Sequence, residues 1–224
     1  MTVLLAAALS GCLSPQMSLL FGLIPDGTFT TLLSNMRGVD EPNRDKLVAL
    51  EKKGDWNGIA QFADANIKID PHNVDWWVIS GYAYAQLAQY EKAAEHFKEA
   101  VHLSPDDVTA WNLLAQAYRS LGRPEQAIRT LDTALQVDRD SPFIAVTYYL
   151  LGECYNDLKR PERAVTYYEQ AVKRDGEFVA AVYQLGLTYA TLGRQNEFDA
   201  CVRQLQRIDP EAARRLAAVP VAAR

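Results

Sequence analysis

Residues 77–105, WVISGYAYAQLAQYEKAAEHFKEAVHLSP, decide the fold class, because their large and small apolar residues follow helical spacing. Steps of four and three residues separate the members of two triplets: Trp77, Gly81 and Tyr84, then Ala93, Phe97 and Ala100. Such steps place side chains on one face of an α-helix. Small residues let two helices approach closely, and a neighbouring large ring fills the remaining space. The stretch therefore predicts two helices packed against each other.

The same pattern returns three more times at a pitch of 34 residues, with three residues added before the third copy. In each copy the pattern opens with an aromatic or aliphatic residue: Trp77, Trp111, Tyr148 and Val182. Turn signals such as Gly122-Arg123-Pro124 separate the two halves of a copy, since Gly ends a helix and Pro is tolerated in the next first turn. A fixed period near 34 residues is typical of a helical solenoid whose units stack to bury their apolar faces.

These residues resemble the tetratricopeptide repeat family over about residues 74 to 212. The resemblance implies an all-α, tetratricopeptide-repeat helical solenoid. Its predicted parts are a degenerate hairpin at 45–73, repeats at 74–107, 108–141, 145–178 and 179–212, and a capping helix at 211–218 that overlaps the last repeat. Within the hairpin, helices are predicted over about 45–53 and 56–69.

The N-terminus contains a short apolar run, residues 3–9, followed by small residues and Cys12. Seven residues are too few to span a bilayer core about 30 Å thick, and the pattern favours a signal peptide over residues 1–11. Leu9-Ser10-Gly11-Cys12 resembles the bacterial lipoprotein signal, which implies fatty acylation, such as with palmitate, at Cys12. Leu13 in place of Asp implies, by the same resemblance, the outer membrane.

Residues 12–44 are predicted to be a lipidated tether, because Pro and Gly interrupt them and no helical period is sustained. Two alternatives remain at this point. Residues 3–24 can act together as an uncleaved membrane anchor, or the chain can be a soluble protein in which Cys12 has no special role.

Composition excludes several classes of function. The formal net charge is −5 and the pI about 5.3, with no basic block, so neither a nucleic-acid partner nor a polybasic membrane patch is predicted. Cys154 and Cys201 are predicted to be buried free thiols. No phosphate loop, nucleophile elbow or zinc spacing is found, so we expect no catalytic residue, metal, cofactor or small-molecule substrate.

By resemblance to the family, the first helix of each repeat lines an inner groove with its second, fifth, ninth, twelfth and thirteenth places. The implied peptide-binding residues are Val78, Tyr82, Asn112, Gln116, Arg119, Tyr149, Glu153, Asn156, Tyr183 and Leu187. Tyr rings and amides dominate this set, and Arg119 is its only cation. A clamp for an acidic tail is therefore not supported, and an extended or helical protein segment is the expected ligand.

The expected function is a non-enzymatic scaffold or adaptor, anchored to the bacterial outer membrane with its repeats in the periplasm. Its partner is expected to be another envelope protein. Two subclasses fit: a pilotin-like helper, or an adaptor that holds a protease or cell-wall hydrolase. The alternative is a permanent structural subunit of an outer-membrane assembly complex, and a remote third is an enzyme whose site carries no recognisable motif.

Overall fold

The computed structural model describes residues 29–222, and every regular element among them is an α-helix. The chain divides into two compact units, Met1–Ser104 and Pro105–Arg224, called unit 1 and unit 2 below. Residues 1–28 lie outside the described part, and with them the predicted signal peptide and Cys12. Within residues 29–222, no helix combines the length and apolar character needed to cross a bilayer.

The described part of unit 1 consists of five helices: α1 (Phe29–Asn35), α2 (Glu41–Lys52), α3 (Trp56–Ile69), α4 (Val74–Gln86) and α5 (Tyr90–Leu103). Side-chain caps define three of the starts. The carboxylates of Asp40 and Asp55 accept from backbone N–H groups of α2 and α3, and the Asn73 amide oxygen does so for α4. Each cap satisfies a donor that the first turn leaves without an intrahelical partner.

Unit 2 contains seven described helices: α6 (Val108–Ser120), α7 (Pro124–Val137), α8 (Ile144–Asp157), α9 (Pro161–Arg174), α10 (Val179–Thr191), α11 (Gln195–Ile208) and α12 (Pro210–Ala217). Pro124 and Pro161 occupy the first turns of α7 and α9, as the sequence predicted. Asp107 and Asp209 cap α6 and α12 through their carboxylates.

The core of each helix pair is formed by the small and large residues of the repeat pattern. In unit 2, a Cβ atom built on Gly152 of α8 would lie 2.5 Å from two ring carbons of Tyr168 on α9. The Tyr168 ring is fully buried, and so is Leu151, which precedes Gly152 in the chain. Gly at position 152 therefore permits the close approach of α8 and α9.

The predicted fold class, an all-α repeat architecture of paired helices, is confirmed. The predicted second helix of the degenerate hairpin has the observed bounds, Trp56–Ile69. The first helix begins at Glu41 rather than near residue 45, because Asp40 caps it and Pro42 fits its first turn. The capping helix spans Pro210–Ala217. Leu216 on this helix is fully buried, so α12 packs against the core as well as capping the last repeat.

The prediction of a tether over residues 12–44 requires correction from residue 29 onward. Residues 29–35 form α1, and residues 41–44 belong to α2. The cause is a group of apolar residues, spaced at steps of three and four, that packs on other residues of unit 1. Its buried members are Phe29, Leu32, Leu33 and Met36.

Candidate functional site

The two predicted groove residues of unit 1 lie on α4 and are buried. Val78 is 4% exposed and Tyr82 1% exposed. The Tyr82 ring stacks on Phe29 of α1, with ring centroids 5.4 Å apart and planes 24° apart, and lies 5.9 Å from the Trp56 ring. The helical face that the resemblance assigns to a partner is therefore covered here by the chain's own α1.

Four of the predicted groove residues in unit 2 are also buried: Asn112, Gln116, Tyr149 and Glu153. The Thr147 hydroxyl donates to Asn112 Oδ1 at 2.9 Å, which joins α8 to α6. The Tyr149 ring packs against Phe178, with centroids 5.1 Å apart. Asn112 and Tyr149 thus contact neighbouring segments of unit 2, so their role in the structure is packing between repeats.

Arg119 and Glu153 belong to one ionic cluster between α6 and α8. Arg119 Nη2 lies 2.8 Å from Glu153 Oε2, and Arg119 Nε lies 2.6 Å from Asp157 Oδ2. The Tyr168 hydroxyl donates to the other Glu153 oxygen. Burial raises the pKa of Glu153, and the guanidinium of Arg119 opposes that shift. The one cation predicted for the groove thus binds two carboxylates of its own chain.

The remaining predicted groove residues, Asn156, Tyr183 and Leu187, are accessible. Asn156 is exposed, whereas Tyr183 and Leu187 are half-buried. The Arg215 guanidinium lies over the Tyr183 ring, 5.8 Å from its centroid. Asn156 and Leu187 line a pocket of about 510 Å³ within unit 2. We call it the α10 pocket; its further lining includes Gln184, Thr188, Thr191 and residues 219–222.

The C-terminal segment, residues 219–222, forms one wall of the α10 pocket. The Ala222 N–H donates to the Ala190 carbonyl at 2.9 Å, and the Val219 N–H donates to the Leu216 carbonyl. The sequence does not predict this wall, since residues 219–222 follow the last helix without a periodic signal. Thr191, which also lines the pocket, occupies the thirteenth place of its repeat. Applying the thirteenth groove place of the family to this repeat would have identified Thr191 as a groove residue.

Neither cysteine of the described part is poised for chemistry. Cys154 and Cys201 are free and buried, as predicted. Burial raises the pKa of each thiol to about 12, so both are protonated at neutral pH. Across residues 29–222, no group of three or more His, Cys, Asp or Glu side chains is arranged to hold a metal ion.

Three family models, all of the same repeat, match segments of this chain. Tetratricopeptide repeat descriptions match residues 106–177 and 157–213, and a TPR repeat description matches residues 81–122. Together the matches run from residue 81 to residue 213. The chain is therefore a tetratricopeptide-repeat protein, and the resemblance predicted from the spacing is confirmed for the repeats.

Curated relatives share the repeats over short segments. Protein O-mannosyl-transferase TMTC3 of Mus musculus is 28% identical over 81 residues, which are 36% of this chain and 9% of that protein. Superkiller protein 3 of Saccharomyces cerevisiae is 29% identical over 91 residues, 38% of this chain and 6% of that protein. The matched segments span about a tenth or less of these relatives, so the likeness concerns the repeats.

Solved structures share the fold over most of the chain. PilW, a type IV pilus biogenesis factor, matches with a TM-score of 0.64 and 21% identity, covering 73% of this chain and 74% of that one. MamA matches with a TM-score of 0.60 and 23% identity, covering 80% and 98%. YrrB, a TPR protein with an unusual peptide-binding site, matches with a TM-score of 0.56 and 16% identity, covering 85% and 98%.

Proposed function

We propose that this protein is a non-enzymatic scaffold that binds a segment of another protein in the α10 pocket of unit 2. The observation that carries the proposal is the accessibility of Asn156 and Leu187. They occupy groove places of the repeat and line an open pocket. The other implied groove residues, Tyr183 apart, are buried within the chain or, for Arg119, paired with its carboxylates. YrrB, which has an unusual peptide-binding site, lends support as a protein of the same fold.

The lining of the α10 pocket defines the chemistry of the ligand. Leu187 and Val219 offer apolar surface, while Asn156, Gln184 and Thr191 offer amide and hydroxyl groups. Such groups can form hydrogen bonds with the backbone of an extended segment, whatever the charge of its side chains. Among residues 29–222, no Lys or Arg lines the pocket, so a segment with an apolar side chain and free backbone groups fits better than an acidic tail.

We further propose that the scaffold is tethered to the bacterial outer membrane through a lipid on Cys12, with its repeats in the periplasm and an envelope protein as partner. The support is the Leu9-Ser10-Gly11-Cys12 tetrad after a short apolar run. A pilotin-like role in pilus or secretin assembly receives support from the likeness to PilW. A protease or cell-wall hydrolase adaptor is the other subclass.

Removal of the lipid attachment site tests the tether. We expect Cys12→Ala to abolish incorporation of labelled palmitate and to move the protein from the membrane fraction to the soluble fraction of whole cells. The reason is that membrane affinity of this kind comes from buried acyl chains. Cys201→Ala is the matched control and is expected to leave both readouts unchanged. Tight membrane association of the Cys12→Ala protein would instead favour an uncleaved anchor.

A charge placed in the α10 pocket tests partner binding. We expect Leu187→Asp to lower the amount of cross-linked partner recovered from whole cells at least about tenfold, because the partner would bury an unpaired carboxylate. Gln206→Asp, at an exposed site on α11 away from the pocket lining, is the control and should recover the parental amount. Tyr82 and Tyr149 are unsuitable targets, since their removal would disturb packing.

The same experiment separates the scaffold from its alternative. Equal recovery of partner with Leu187→Asp and with the parent would remove the α10 pocket from the proposal. If that partner also co-purified in fixed proportion through every step, a permanent structural subunit would be the better description.

A further inference from the structure

The Asp64 carboxylate of α3 lies among side chains of two further helices of unit 1, α4 and α5. The Ser80 hydroxyl donates to Asp64 Oδ1 at 2.5 Å, and the Tyr84 hydroxyl donates to Asp64 Oδ2 at 2.7 Å; both donors belong to α4. On α5, His96 Nδ1 lies 4.0 Å from Asp64 Oδ1, beyond hydrogen-bonding distance. Asp64 is therefore bound to α4 and has a second, unused neighbour on α5.

The His96 imidazole packs against two aromatic rings and is largely withdrawn from water. Its ring centroid lies 5.3 Å from that of Trp77 and 5.2 Å from that of Tyr84. The side chain is 18% exposed, and among residues 29–222 no hydrogen-bond partner reaches its buried Nδ1 atom. A neutral imidazole can leave that nitrogen unpaired at less cost than an imidazolium, which has to place a buried, charged N–H on an acceptor.

Charged and titratable groups face His96 from three helices of unit 1. They are Asp64 on α3, Tyr84 on α4, and Lys92, Glu95 and Glu99 on α5 itself. The three on α5 are exposed, so water and salt screen their effect, whereas Asp64 is half-buried. Asp64 is therefore the acceptor that a charged imidazole would engage.

The protonation states at neutral pH follow from burial. Burial lowers the pKa of His96, and the Asp64 carboxylate opposes that shift without cancelling it. Burial and the hydrogen bond to Asp64 raise the pKa of Tyr84 to about 12. At neutral pH the imidazole is therefore uncharged, and the Tyr84 hydroxyl keeps the proton that it donates to Asp64.

We propose that Asp64 is the moving part of a pH-sensitive switch in unit 1, turning from its two donors on α4 to a protonated His96 on α5. In the neutral state, two hydrogen bonds hold α3 to α4. In the protonated state, the Nδ1–H of His96 donates to Asp64 Oδ1. The Ser80 hydroxyl then loses this acceptor, and because Ser80 is fully buried the loss weakens the contact between α3 and α4.

The direction of the pH dependence follows from the lowered pKa of His96. In the unfolded chain His96 takes up its proton below about pH 6.5, whereas in the folded chain it does so only at lower pH. The unfolded state therefore binds more protons in mildly acid solution. The contribution of His96 to the stability of unit 1 is complete above about pH 6.5 and is lost as the pH falls from there toward the folded-state pKa of His96.

Proton NMR of the full-length protein tests the switch, because the chain contains three histidines and the other two, His72 and His102, are exposed references. We expect His96 to titrate at lower pH than both. Tyr84→Phe keeps the ring but frees one oxygen of Asp64, so it should raise the pH at which His96 titrates. Asp64→Asn should lower it, and Tyr90→Phe is the control that should leave it unchanged.

Titration of His96 together with His72 and His102 would overturn the proposal. A His96 titration that neither Tyr84→Phe nor Asp64→Asn moves would overturn it as well, because Asp64 would then not respond to the imidazole. The first comparison uses the unmodified protein and does not depend on the folding of any variant.

Urea unfolding, followed on the amide NMR signals of α4, provides a second test. On acidification from about pH 7.5 to about pH 5, the unfolding equilibrium constant is expected to rise at least about threefold more in the parent than in His96→Gln, because Gln takes up no proton. His102→Gln, at an exposed site on the same helix, should respond as the parent does. Equal responses of the parent and of His96→Gln would overturn the proposal. Neither test involves the α10 pocket, so both outcomes are independent of the proposed function.

Discussion

Gly152→Leu is expected to lower the free energy of unfolding of unit 2 by about 3 kcal/mol, through overpacking. The added side chain would begin 2.5 Å from ring carbons of Tyr168. That ring is fully buried and its hydroxyl is bound to Glu153, so it has no free space into which to turn. Thermal denaturation followed by circular dichroism should show a transition about 6–12 °C lower for the part of the chain that contains α8 and α9.

Gly176→Ala is the matched control for Gly152→Leu. Gly176 lies in the turn between α9 and α10, and the nearest atoms to an added Cβ are 3.8 and 3.9 Å away, at ordinary contact distance. Its φ is not in the left-handed region, so Ala is tolerated there and should leave the transition unchanged or raise it slightly. A Gly152→Leu protein that melts with the parent would contradict the close approach of α8 and α9.

Glu153→Ala is expected to lower the free energy of unfolding by about 3 kcal/mol, because it leaves a buried guanidinium with one carboxylate fewer. Arg119 would keep Asp157, whose side chain is 38% exposed, and the Tyr168 hydroxyl would lose its acceptor. Urea denaturation of the variant and the parent measures the difference. The retained Asp157 pair is the reason to expect the lower end of the range for broken buried pairs.

The matched control removes the whole cluster instead of one member. Arg119→Leu, Glu153→Leu and Tyr168→Phe together leave no buried charge without a partner, and this triple variant should regain most of the stability lost by Glu153→Ala. Asp157 is exposed enough to remain solvated by itself. A Glu153→Ala protein as stable as the parent would show that the Arg119–Glu153 pair contributes nothing.

Much of the helical architecture is predictable from local pattern. The helix bounds Trp56–Ile69 and the final helix near residues 210–217 follow from apolar periodicity, capping side chains and Pro positions, all of which are local signals. The pairing of Gly152 with Tyr168 follows from the repeat register, which relates residues only 16 apart. Burial of Cys154 and Cys201 follows from the same register.

The accessibility of the groove residues is not predictable in this way. Tyr82 occupies a groove place by register, but it is covered by Phe29, which lies 53 positions earlier in the chain. Arg119 is the only cation among the implied groove residues, yet it is bound by Glu153 and Asp157, which lie more than 30 positions later in the chain. Helical period reports which face a residue occupies and carries no information about which distant segment covers that face.

The 34-residue spacing alone was sufficient to establish paired helices, their approximate bounds and the small-against-large packing within each pair, because those features depend on contacts between residues close in the chain. Tertiary structure was needed to find that residues 29–39 dock on α4, that Arg119 and Glu153 pair internally, and that residues 219–222 border the α10 pocket. These three features depend on contacts between segments far apart in the chain, where burial and pairing are decided by which surfaces meet.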